Sequence, residues 1–317
     1  MFGATTRLQD LAIEGVLRAW PNANGPRIHS FRLPADVATR MGVQWPRAYE
    51  WALADVWGDQ YRHALEQFVP VRITEIPQPF AGVILTRFDI DGRSYDVAFD
   101  YSDDPMSIHD ECARQCLVTF KAQYLAQGYG IPRLLPTGYI PGSELLYKML
   151  PYLGWVRRAR PRLFDVYGRF GSKFGTGIRA PALIRLSATQ RFRFEGGLQM
   201  VGYSRYLREM ARARVVIDLP GNGPFCFRLV EYLAVGACVV AYPHHAAMPM
   251  PLADGEHLVF VREDLSDLEE QCERCLHDTD LRSHLSARAQ EYFDRYLHRD
   301  QLGSYLVSSV LEQLAES

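Results

Sequence analysis

Residues 214–242 read RVVIDLPGNGPFCFRLVEYLAVGACVVAY. Val215, Val216 and Ile217 form a continuous apolar run of the kind a central parallel strand needs, because such a strand is buried on both faces. The run stops at Leu219, and Pro220-Gly221-Asn222-Gly223-Pro224 follows, a turn made of residues that punctuate regular structure. A helix is predicted over Phe225–Val235, then a second buried strand over Ala237–Tyr242. Strand, glycine turn, helix and strand make a βαβ unit, whose ligands sit outside the carboxyl ends of the strands. Gly221 and Gly223 admit close approach of backbone to a ligand, and the helix start offers free N–H groups and partial positive charge to an anion. The segment is a diphosphate cradle in outline.

Outward from that unit the alternation continues. Strands are predicted near Leu163–Tyr167, Leu198–Val201 and Leu258–Phe260, and helices near Pro181–Ala188, Tyr203–Ala211 and Asp267–His277. Ser266 and Glu269 have capping-box spacing at the start of the last of these. Two further helical patterns, Leu281–Tyr296 and Gln301–Leu314, close the chain. This regular alternation implies a parallel sheet covered on both faces, a Rossmann-like half.

The first half reads differently. A helix is expected over Leu8–Ala19, a turn at Pro21–Pro26 and a helix over Ala48–Phe68; VILTRFDI and SYDVAFDY then flank Asp91-Gly92, a strong hairpin dipeptide. A helix over about Ile108–Gln127 and the extended connection GYGIPRLLPTGYIPG follow. A chain of 317 residues exceeds one ordinary core, and the division is placed near residue 155, giving 1–155 and 156–317.

Composition narrows the function classes. Hydrophobic residues are 48% and charged residues 23% of the chain, an average soluble globular mix. The 35 basic and 37 acidic side chains leave a net charge of −2 with no like-charge block, so no nucleic-acid or membrane surface is announced. Six cysteines are too few for a disulfide framework in a chain this long, which predicts a cytoplasmic protein, or one peripheral to a membrane. Cys272/Cys275 and Cys112/Cys116 lie in helical sequence and read as chance spacings, not zinc ligands. No apolar run reaches about 18 residues.

Arg228 and Glu231 lie three apart on one face of the predicted helix. The arginine can clamp phosphate oxygens and the glutamate can accept from two ribose hydroxyls, or the two can simply pair. In FDYSDDPMSIHDE, Asp100, Asp103, Asp104 and His109 follow a strand, where a general base would sit and where aspartates also make turns. His244 and His245 follow another strand end. Asp89-Ile90-Asp91 has the letters of a metal-binding DxD but runs into the hairpin turn, and no metal is expected.

The 214–242 segment and its surroundings resemble the C-terminal domain of GT-B glycosyltransferases, especially the exostosin-like and family-1-like branches, through Gly221, Gly223, Arg228, Glu231, Gly236, Val239 and Val240. The resemblance extends over roughly residues 160–300. It implies an α/β, GT-B-like fold of two Rossmann-like domains, the N-terminal one reduced or atypical. It also implies a glycosyltransferase that moves a sugar from a nucleotide-diphosphate-sugar co-substrate, UDP or GDP first, to a hydroxyl acceptor without metal. Carried over, Glu231 binds ribose, Arg228 the diphosphate, and Gly221, Asn222 and Gly223 supply backbone contacts. Arg169, in the loop after the domain's first strand, is a second phosphate candidate. Asp103, Asp100 and His109 are the catalytic candidates. Two departures stand out: Gly223 occupies the first acid position of the retaining families' E-x7-E pattern, and Cys226 stands where serine is usual. Two other readings fit the same residues, a UDP-sugar epimerase of the same fold and a non-catalytic nucleotide-sugar or glycan-binding scaffold.

Overall fold

The computed structural model describes residues 15, 30–50 and 54–317. The helix expected over Leu8–Ala19, Gly15 apart, and the turn at Pro21–Pro26 lie outside them. A single helical turn, α1 (Val37–Arg40), leads into β1 (Met41–Pro46), and helix α2 (Ala54–Leu65) carries the chain to β2 (Val71–Thr74), parallel to β1. The expected hairpin forms between β3 (Val83–Ile90) and β4 (Arg93–Asp100). Its turn residues take φ of 48° at Asp91 and 79° at Gly92, the left-handed pair that a two-residue hairpin turn requires.

Helix α3 (Asp110–Gln115), β5 (Val118–Lys121) and β6 (Leu134–Pro136) complete a six-stranded sheet, order β2-β1-β3-β4-β5-β6. The single helix expected over Ile108–Gln127 is therefore a short helix and a strand, and the expected connection after it contains β6. Tertiary burial explains the difference: all four residues of β5 are buried between β4 and β6, where Val118, Thr119 and Phe120 suit a pleated surface. The β1–β3 and β3–β4 pairs are antiparallel and the rest parallel, so this half is Rossmann-like only in part.

Helix α4 (Leu145–Ala159) joins the two sheets, and the division expected near residue 155 falls inside it. The second sheet contains β7 (Phe164–Arg169), β8 (Phe194–Gly197), β9 (Ala213–Asp218), β10 (Cys238–Ala241) and β11 (Val259–Phe260). Helices α5 (Thr176–Ala188), α6 (Tyr203–Ala211), α7 (Phe227–Ala234) and α8 (Leu268–His277) alternate with them. All its pairs are parallel, order β11-β10-β9-β7-β8. The strand expected at Leu198–Val201 lies earlier because β8 packs glycine on glycine: a Cβ on Gly196 would sit 1.9 Å from the Gly168 carbonyl oxygen. The capping box is also corrected. Ser266 donates its N–H to Asp264 and the helix starts after Asp267, whose carboxylate accepts from the Arg262 N–H.

Helix α9 (Thr279–Tyr292), a π turn at Phe293–Leu297 and α10 (Arg299–Glu316) end the chain. The last helix returns to the first half, packing on α2 so closely that a Cβ on Gly303 would come within 2.1 Å of the Ala64 carbonyl oxygen. Tyr305 of the same helix donates to the Pro136 carbonyl of β6 at 2.7 Å. The two sheets are thus held in a fixed relation, with a crevice between their facing ends.

Candidate active site

In the second sheet β7 is flanked by β8 on one side and β9 on the other, so connections leave β7 and β9 in opposite directions. That is the topological switch point of a doubly wound sheet, and it opens a crevice at the carboxyl ends of these two strands. A cavity of about 420 Å³ lies there, lined from the first half by Trp57, Asp103 and Tyr139 and from the second by the Gly221–Gly223 turn, Arg228 and Glu231. The turn runs close to the first half for a steric reason. A Cβ on Gly223 would meet the Gln123 side chain at 2.5 Å and the Asp103 carbonyl oxygen at 2.7 Å. Gln123 closes the seam by accepting from the Phe225 N–H at 3.0 Å and donating to the Phe225 carbonyl at 3.1 Å.

Two arginines converge on the turn. Arg228, on the first turn of α7, donates to the Leu219 carbonyl at 2.8 Å and lies 4.0 Å from Asp218. Arg179, on α5, donates to the Gly171 carbonyl at 2.8 Å and is buried. Both guanidiniums lie over the ring of Phe170, at 5.8 Å for Arg179 and 5.0 Å for Arg228. The Nε–H of each is buried without a hydrogen-bond partner. Burial, and next the positive charge of Arg228, lower the pKa of Arg179. One buried and one half-buried cation beside a helix N-terminus, each with an unused Nε–H, have the chemistry to receive an anion.

Glu231 stands one helical turn on, 2% exposed. Its Oε1 accepts from the Gly142 N–H at 2.9 Å and from the Tyr203 hydroxyl at 2.8 Å. Burial raises its carboxyl above the ordinary 4.5 against these donors. Arg228 and Glu231 do not pair with each other; each is anchored separately and both face the cavity.

The other candidates separate. Asp103 lines the cavity as a solvent-facing residue whose carboxyl tucks toward Asn222 and Gln123; burial raises its pKa, and hydrogen bonds from those two side chains offset part of the rise. Asp100 does not reach the cavity. It is buried and ion-paired at 3.0 Å with Lys121, itself 0% exposed, a pair that fixes β4 to β5. His109 caps α3, bonds the Ala81 carbonyl at 2.6 Å and packs on Phe80, also outside the cavity. Arg169 lines the cavity, but its guanidinium is engaged by Glu209 at 2.8 Å, Glu195 at 3.5 Å and the Gln199 carbonyl at 3.1 Å. Asp89 bonds to Gln44 and Ser94 of the first sheet and Asp91 to Arg40 at the end of α1, and neither lines the cavity. His244 is bonded to Asp218 at 3.3 Å, and exposed His245 pairs with Glu263 at 3.2 Å.

Sequence reading missed Arg179, Phe170, Tyr203 and Trp57. The signal for the first two was present: FDVYGRFGSKFGTGIRA is also strand, glycine loop and helix, the counterpart of the 214–242 unit at the first strand. Trp57 carried no such signal; it reaches Phe227 across the crevice, ring centroids 4.5 Å apart.

Comparison with known proteins bears on the fold. Residues 157–302 match the family model described as glycosyl transferase-like. An α1,3-fucosyltransferase crystallised with GDP shares the fold at 9% identity, covering 91% of this chain and 94% of that one, TM-score 0.53. HepE from Anabaena, crystallised with UDP and glucose, overlaps at 15% identity over 70% of this chain and 71% of its own, TM-score 0.38, too loosely to add to the fold assignment. No curated protein sequence matches the chain.

Proposed function

We propose that the chain, whose residues 157–302 match the glycosyl transferase-like model and whose fold is shared with an α1,3-fucosyltransferase, transfers a sugar from a nucleotide-diphosphate-sugar donor to a hydroxyl acceptor. The observation that carries the reading is the pair Arg179 and Arg228, both set over Phe170 at the Gly221–Gly223 turn with unused donors. Donor diphosphate placed there meets two guanidiniums and the N-terminus of α7, which stabilise the charge that grows on the leaving group. Such a cradle needs no cation held by carboxylates, and we propose metal-independent transfer. Glu231 is the candidate to take the ribose: Gly142 and Tyr203 both bond its Oε1, which leaves Oε2 for hydroxyls. Arg169 serves by holding Glu209 and Glu195 at the rim.

Asp103 faces the second sheet from the first and is the candidate to take the proton of the acceptor hydroxyl as its oxygen attacks the anomeric carbon. The bond from that carbon to the diphosphate oxygen breaks as the new one forms. A carboxyl raised toward the working pH suits that exchange. In this reading residues 1–155 supply the acceptor side and 156–317 the donor side, with α4 as connection, and the enzyme works in the cytoplasm.

The test is a thermal-shift screen with UDP, GDP, dTDP, CDP and ADP, with and without Mg²⁺, since a ligand of the native state raises apparent stability. Stabilisation by a nucleoside diphosphate, lost on Arg228→Ala, is expected. No shift with any of the five overturns the reading, and acceptor-independent release of free UDP from a UDP-sugar points to an epimerase instead.

A further inference from the structure

A second cavity, about 340 Å³, lies at the opposite end of the same βαβ unit, lined by Arg214 near the start of β9 and by Val235 just past the end of α7. Five arginines line it, Arg157, Arg158, Arg162, Arg214 and Arg282, and no carboxylate does. Only Arg214 has an acidic partner among the described residues, Asp165 at 3.4 Å. Arg157 donates to the Ala213 carbonyl at 3.1 Å and the Ser286 hydroxyl at 3.2 Å; Arg282 donates to the Cys275 carbonyl at 2.9 Å and the Leu276 carbonyl at 2.6 Å. These neutral partners hold the guanidiniums in place without cancelling their charge. The Arg157 pKa is pushed down to about 9, by burial first and then by the positive charge of Arg162, so the cluster is under electrostatic strain.

Proteins seldom gather unpaired cations around a concavity, because the repulsion must be offset elsewhere; a bound anion offsets it directly. Rigid planar forks converging from α4, β9 and α9 match the several oxygens of a phosphate better than the two of a lone carboxylate. We propose that this cavity is a second anion site, taking a phosphate group, separate from the donor cavity and at the other end of β9. Two sources share that chemistry, a free phosphate ester and a lipid headgroup. The second has a structural argument beside it: Tyr152 and Trp155, each 43% exposed, stand on the same helix as Arg157 and Arg158, an arrangement that suits a membrane interface.

Calorimetric titration of the full chain with inorganic pyrophosphate tests the proposal. Two classes of site are expected in the wild type. Arg158→Glu/Arg162→Glu removes one, weakening it at least about tenfold, and keeps binding of a nucleoside diphosphate; Arg179→Gln/Arg228→Gln removes the other. Should the reversed pair fail to fold, Arg158→Ala alone, at an exposed position, reports the same loss in smaller measure. Pyrophosphate binding that the Arg158 and Arg162 changes leave untouched, whether the wild type shows one site or two, or no binding at all, overturns the proposal; a single site lost in the reversed pair supports it and counts against the donor cavity instead. Flotation with vesicles of phosphatidylcholine, with and without phosphatidylglycerol, separates the sources: binding that needs phosphatidylglycerol and is lost in the reversed pair identifies a headgroup, and pyrophosphate binding without flotation identifies a soluble phosphate.

Discussion

Arg179 and Arg228, from different helices of the second half, share the ring of Phe170 as a common floor, their guanidiniums 5.8 and 5.0 Å from its centroid. An aromatic face attracts each cation without consuming an N–H, so both arginines keep donors for a ligand. The Leu219 and Gly171 carbonyls fix each planar fork from behind. Phe170 follows β7 directly and Leu219 follows β9 directly, so the positions of both cations are inherited from adjacent strands of one sheet.

Removing either cation should therefore weaken donor binding while leaving the fold in place. A hydrogen bond to a charged group contributes roughly 1.5–3 kcal/mol, so Arg179→Ala and Arg228→Ala are each expected to weaken binding of the preferred nucleoside diphosphate by about 10- to 100-fold. Calorimetry on each variant measures this. Phe170→Leu, which removes the floor and neither charge, should fall between the wild type and the arginine variants.

Asp103→Asn keeps shape and neutral hydrogen bonding but cannot take a proton. The expected result is a kcat loss of about 100- to 10,000-fold with nucleoside diphosphate binding unchanged. In the wild type, the acid limb of the pH profile of kcat/KM should lie above the ordinary aspartate value of 3.8, because burial raises this carboxyl. Activity should rise as pH rises through that limb, since the deprotonated form is the base. Asp100→Asn gives the contrast: it breaks the buried pair with Lys121 and should lower Tm.

How much of this was readable in the sequence depends on what kind of contact holds each part. The unit from Arg214 to Tyr242 was legible because a buried parallel strand needs an unbroken apolar run and its turn needs glycine. Strand β8 was not, because Gly196 is there to let a backbone approach Gly168, and glycine carries no hydrophobic pattern. Arg179 was hidden by Pro181, which marks a helix start to a reader of sequence; the helix begins earlier, after Gly175 in the left-handed region at φ 64°. A Cβ on Gly175 would strike the Pro220 carbonyl oxygen at 2.4 Å, a contact between two glycine loops 45 residues apart that local spacing cannot register. The place of Asp100 away from the cavity was hidden for the same reason: its partner, Lys121, is supplied by the neighbouring strand.

Glu231 gives a prediction about pH. Its folded-state pKa is raised above 4.5, so the fold favours the protonated carboxyl; the contribution is fully present below about pH 4.5 and is lost as pH rises through the folded value. Glu231→Gln keeps an oxygen for the Gly142 N–H and the Tyr203 hydroxyl but carries no charge to desolvate. Denaturant unfolding from pH 4 to 8 should show the wild type losing stability relative to this variant as pH rises, by at most about 1.4 kcal/mol per pH unit. At neutral pH the variant should be at least as stable as the wild type while binding nucleotide more weakly. Equal pH dependence in the two proteins would show that the carboxyl is not desolvated. Glu231→Ala should instead be destabilised by about 1–3 kcal/mol, because it leaves a buried hydroxyl and an amide unpaired.

Gly223 packs against the first half at the cavity with no room for a side chain, and its replacement tests whether that seam matters. Its φ is not in the left-handed region, so alanine is opposed by contact alone. The added methyl would overlap Gln123 and the Asp103 carbonyl, and the backbone oxygen cannot swing away as a side chain can. Gly223→Ala should therefore push the turn from the first half, breaking the two Gln123 bonds to Phe225 and moving Asp103 relative to Arg228. A loss of about 1–3 kcal/mol in stability is expected, the usual range for overpacking, with a fall in kcat larger than the fall in nucleotide affinity. Gly221→Ala is the control: its Cβ would meet only the Cys226 sulfur at 3.2 Å and the Arg179 guanidinium at 3.4 Å, groups that can give way. It should perturb nucleotide binding through Arg179 more than turnover, so equal effects of the two alanines on kcat would mean that the seam does not position Asp103.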